Sequence, residues 1–74
     1  RGAAPLAYAL PEAGPTTLTV YDVLGRRVAV LADEAQAAGR HRTTLATARL
    51  AAGVYVAVLE TTAGRQTQTL TVLR

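Results

Sequence analysis

Apolar and polar residues alternate with a period of two along most of the chain, the pattern of strands with one face buried in a sheet. In TTLTVYD (16–22), Leu18 and Val20 fall on one face, with Thr17, Thr19 and Tyr21 on the other. RRVAVL (26–31) places Val28 and Val30 together, and HRTTLA (41–46) is a weaker run whose one large apolar residue is Leu45. GVYVAVLETT (53–62) is apolar on both faces, with Val54, Val56 and Val58 against Tyr55, Ala57 and Leu59, which predicts a central strand. PLAYAL (5–10) reads as an opening strand and RQTQTLTVLR (65–74) as a closing one.

Turn signals separate these runs: PEAGP (11–15), LG at 24–25, AAG at 37–39, AAG again at 51–53 and TAG at 62–64. A strand every eight to twelve residues, roughly, is the rhythm of a small sandwich or barrel. The expectation is an all-β domain of six antiparallel strands, with a seventh candidate around Leu50. ADEAQAAG (32–39) has helical propensity, with Asp33 placed to cap it and Gly39 to close it. A segment this short predicts a single turn or a loop rather than a stable helix. Residues 1–4 read as the remnant of a linker, and 5–74 as the domain, a module cut from a larger protein.

Composition narrows what such a domain can do. A chain of 74 residues buries only about 60% of its unfolded surface. Its core has no Phe, Trp, Met or Cys to draw on, only Leu, Val, Ala and the tyrosines Tyr8, Tyr21 and Tyr55. Without cysteine there is no disulfide, thiolate metal site or cysteine nucleophile. The net charge of +3 comes entirely from arginines spread along the chain, without interleaved aromatics, so nucleic acid is not the expected partner. No apolar run is long enough to span a bilayer, and membrane insertion is not expected.

Candidate chemistry is thin. His41 stands alone between Arg40 and Arg42, and the chain contains no serine for a Ser-His-Asp triad. Asp33 and Glu34 are adjacent, an arrangement that rarely aims two carboxylates at one substrate, and they lack the further oxygen ligands of a calcium loop. GRR and AGR lack the strand, Gly-rich turn and helix order of a phosphate loop. Arg26 and Arg27 read as a solvated pair opening a strand. No catalytic residue, metal or cofactor is expected, and the chain reads as a non-enzyme.

In order, the segments LPEAGPTTLTVYDVLGRRVAVL, AGRHRTTL and LAAGVYVAVLETTAGRQTQTLTVLR resemble the C-terminal sorting domain of the type IX secretion system of Bacteroidota and their relatives, type A, the Por secretion family. The resemblance covers about residues 9–74 and rests on the LPEAG turn, the VYDVLGR hairpin, the AG.H loop, the L..GVY...L strand and a last strand ending in a basic residue. The motif positions are Asp22, Gly25, Arg26, Gly39, Gly53 and Tyr55. Two features depart from the family: Ala57 stands where an aromatic is usual, implying a looser core, and the Asn-Pro usual before the first strand is absent, implying that the segment begins inside the domain. The Ig-like domain of flagellar hook-capping proteins shares YD..GR and GVY but has a longer connection before GVY.

The resemblance implies an immunoglobulin-like β-sandwich acting as an address label. Its partners would be the outer-membrane secretion translocon and a sortase-like peptidase, and its destination the cell surface or medium. Leu70, Thr71, Val72, Leu73 and Arg74 on the last strand are the candidate recognition residues, because an edge strand offers unpaired backbone groups for strand addition. Such edges can also pair between copies. The alternatives are an Ig-like spacer or carbohydrate-binding module of a secreted hydrolase, and a hook-capping type of domain.

Overall fold

The computed structural model describes residues 2–73 and is all-β. Its strands are β1 (Ala3–Leu10), β2 (Gly14–Asp22), β3 (Arg27–Gln36), β4 (Gly39–Ala46), β5 (Gly53–Thr61) and β6 (Gly64–Val72). They form two antiparallel sheets, β1-β4 and β3-β2-β5-β6, packed as a small immunoglobulin-like sandwich.

The core follows from the alternation. Leu18 and Val20 on β2 lie in register with Leu59 and Ala57 on β5, and this inner face meets Leu6 and Leu10 from β1 and Leu45 from β4. Tyr55 and Val72 close the cluster at one end. Each such large side chain removed from water contributes about 1.5–3 kcal/mol, so the small core depends on every one. On the opposite face of the larger sheet, Thr19 lies beside Val58 and both are buried, whereas Val30 and Val54 remain exposed. β5 is therefore central, but of its outer valines only Val58 is fully covered.

Four expectations change. ADEAQ is neither turn nor helix: β3 runs on through Gln36, with Ala32 opposite Leu18, Asp33 opposite Thr17 and Glu34 opposite Thr16. The long β2 offers a complete partner, and cross-strand pairing overrides the weak helical preference of Ala, Glu and Gln. Asp33 therefore caps nothing, and Gly39 opens β4 rather than closing a helix. Val28 and Val30 do not share a face either, because the β2–β3 register shifts twice. Val28 packs on the core, while Val30 lies opposite Thr19 and faces water. Residues around Leu50 form a turn, Leu50 N–H donating to Thr47 O at 3.0 Å, so six strands are present among the described residues. β1 also begins earlier than Pro5, because Ala3 and Ala4 pair with Ala46 and Leu45.

Candidate functional site

Strand direction gives the sandwich two unlike ends. One end carries the 22–26 turn, the 47–52 connection and the exit of β6; the other carries the connections at 11–13, 37–38 and 62–63.

The 22–26 turn is built around one carboxylate. Asp22 Oδ1 accepts the backbone N–H of both Leu24 and Arg26 at 2.9 Å, and Oδ2 accepts Arg26 Nε at 2.9 Å. The backbone closes the loop, Gly25 N–H donating to Asp22 O at 3.0 Å and Asp22 N–H to Arg26 O at 2.9 Å. Gly25 has φ of +81°, a left-handed conformation that side chains with a Cβ resist. The Arg26 backbone N–H holds the Asp22 carboxyl below its ordinary value; desolvation opposes this, and the Arg26 guanidinium and the Leu24 N–H add to the lowering. Asp22 and Arg26 thus form an ion pair that ties the turn together.

That turn holds two large apolar side chains in water. Val23 and Leu24 are each 74% exposed, and Leu73, leaving β6 at the same end, is 81% exposed. The sequence reading missed this pair. The signal was available, since VL sits inside a turn between Asp22 and Gly25, where no strand partner can cover it.

The last strand divides its candidate residues. β6 is an edge strand, paired only to β5, and its residues from Gly64 to Thr69 are exposed. Val72 is buried in the core and Leu70 packs against it, which leaves Thr71, Leu73 and the backbone edge for a partner to reach. Arg74 lies outside the described residues. Of the other motif positions, Gly39 and Gly53 open β4 and β5, and Tyr55 is buried with its hydroxyl donating to Ala51 O at 2.7 Å.

His41 and Tyr8 have local structural partners. His41 lies opposite Tyr8, the rings stacked with centroids 5.3 Å apart, and its Nε2 donates to Ala37 O at 2.6 Å. Tyr8 in turn donates to Gln36 Oε1 at 2.7 Å. Successive positions on β3 send Asp33 and Glu34 to opposite faces of the sheet. Among the described residues, no three His, Asp or Glu side chains are grouped as metal ligands. Beside Ala57 lies a cavity of about 100 Å³, lined by Leu6, Tyr8, Leu18, Leu59 and Gln68, where β1 faces the β5–β6 side of the larger sheet.

The chain matches the family described as secretion system C-terminal sorting domain over residues 6–73, nearly its whole length. No curated protein and no solved structure matches it.

Proposed function

The chain belongs to the family of type IX secretion C-terminal sorting domains, and from that premise we propose that it carries a larger protein through the outer-membrane translocon of a Bacteroidota-type bacterium. In this reading the domain is non-catalytic, a sortase-like peptidase acts on it after export, and the cargo reaches the cell surface or the medium. The observation that carries the recognition step is the open edge of β6, exposed from Gly64 to Thr69 and followed by Thr71 and Leu73. A receptor adding a strand to this edge would gain backbone hydrogen bonds while its side chains met a threonine-rich surface.

The test fuses the chain to a reporter in a host with type IX secretion. Removing residues 66–74 should abolish export. A folded variant, Thr67→Lys with Thr69→Lys, should reduce it, because charged side chains beside an edge oppose strand addition. Circular dichroism establishes that the variant keeps its sheet content. Equal secretion of the parent, the truncation and the variant would sink the proposal.

A further inference from the structure

Charge balance and apolar exposure differ between the two ends of the sandwich. Four of the five acidic side chains, Glu12, Asp33, Glu34 and Glu60, lie toward the end formed by the 11–13, 37–38 and 62–63 connections, together with Arg40, Arg42 and Arg65, so carboxylates outnumber arginines there. The opposite end carries Arg26, Arg27 and Arg49, and its one carboxylate, Asp22, is already paired with Arg26. Four of the five large exposed apolar side chains, Val23, Leu24, Val54 and Leu73, stand at or next to this basic end.

We propose that the basic end docks on an anionic lipid surface, with Val23 and Leu24 entering the headgroup layer and Arg27 and Arg49 facing lipid phosphates. The Asp22 hydrogen bonds fix the turn with its apolar pair outward, so little conformational freedom remains to be lost on docking. The apolar side chains project from three separate segments, the 22–26 turn, the start of β5 and the chain beyond β6. A fluid interface accommodates separated tips, whereas a protein partner would need a matching socket for each. The difference in charge balance orients the molecule, because arginines outnumber carboxylates at the 22–26 end and carboxylates outnumber arginines at the other. This is contact with the surface and not a span, and it does not depend on how the sorting label is read.

Co-sedimentation with vesicles tests the proposal. The chain should bind vesicles of phosphatidylglycerol mixed into phosphatidylcholine, bind pure phosphatidylcholine at least about tenfold more weakly, and lose affinity as salt is added. Val23→Ser with Leu24→Ser should weaken binding about tenfold or more, since both side chains leave water on docking. Val30→Ser removes an exposed apolar residue from the sheet face and should leave binding unchanged. Circular dichroism and light scattering accompany each variant. No binding to the mixed vesicles, or binding indifferent to the turn variant in a folded protein, overturns the proposal. So does a change in oligomeric mass on the turn substitution without a change in vesicle binding, which would assign the surface to a second copy.

Discussion

Ala57 offers the sharpest check on the physical reading of the core. It sits on the inner face of β5, opposite Val20 on β2 and Gln68 on β6, and borders the cavity of about 100 Å³. Ala57→Leu adds three carbon groups at that wall. At about 0.8 kcal/mol per buried CH₂, complete insertion would contribute about 2.4 kcal/mol. The cavity opens partly to solvent beside Gln68, so about 1 kcal/mol is the working expectation. That raises Tm by about 4–8 °C in a domain of this size. The matched control is Val20→Leu, one residue across the sheet with 0% exposure, where an extra carbon has no space and overpacking costs about 1–3 kcal/mol. Thermal melts by far-UV circular dichroism should therefore move in opposite directions. If Ala57→Leu lowers Tm as far as Val20→Leu does, the space beside Ala57 is not usable core volume and the account of a loosened core is wrong.

Two further predictions concern the 22–26 turn. A Cβ built on Gly25 meets nothing within 4 Å, so Gly25→Val acts through backbone strain alone and should cost about 1–2 kcal/mol, while Gly25→Asn, which tolerates positive φ, should cost clearly less; similar melting temperatures would count against the turn geometry. Because the folded state lowers the Asp22 pKa, its contribution is fully present above the ordinary value of 3.8 and disappears as pH falls through the lower folded value. Denaturant titrations across that acid window should show the parent losing more stability than Asp22→Asn, and parallel curves would contradict the assignment.

Much of this sandwich could be read from the alternation of Leu18 with Val20 and of Tyr55 with Ala57 and Leu59, because residues two apart share a face whichever strand becomes the neighbour. The departures arose where the neighbour decided the outcome. Asp33 and Glu34 belong to a strand only because β2 extends back to Gly14, a fact local propensity cannot contain. Val28 and Val30 separate because register shifts on β3 break the two-residue repeat, and nothing in RRVAVL marks them. The Asp22–Gly25 turn was visible because its bonds close within five residues, whereas the unlike charge balance of the two ends emerged only once strand directions brought Arg49 to the end of Arg26 and Arg27 and four of the five carboxylates to the other. Ala57 was a sequence departure whose consequence, a cavity, needed the facing strand β1 to define it.

The pairing of β1 with β4 and of β2 with β5 sets the order in which this domain can be completed. Ala3 waits for Ala46, and Thr17, already opposite Asp33 on β3, waits for Glu60 on its other side, so the first two strands are completed only by partners about forty residues further along the chain. Loop closure must precede the reward of burial, which places such topologies among the slower folders. At about 5–20 residues per second of synthesis, the first two strands exist for seconds before β5 is made. A chain that stops short of β5 leaves Leu18 and Val20 without the inner face they pack beside, so stable structure here reports that nearly all of the segment has been made.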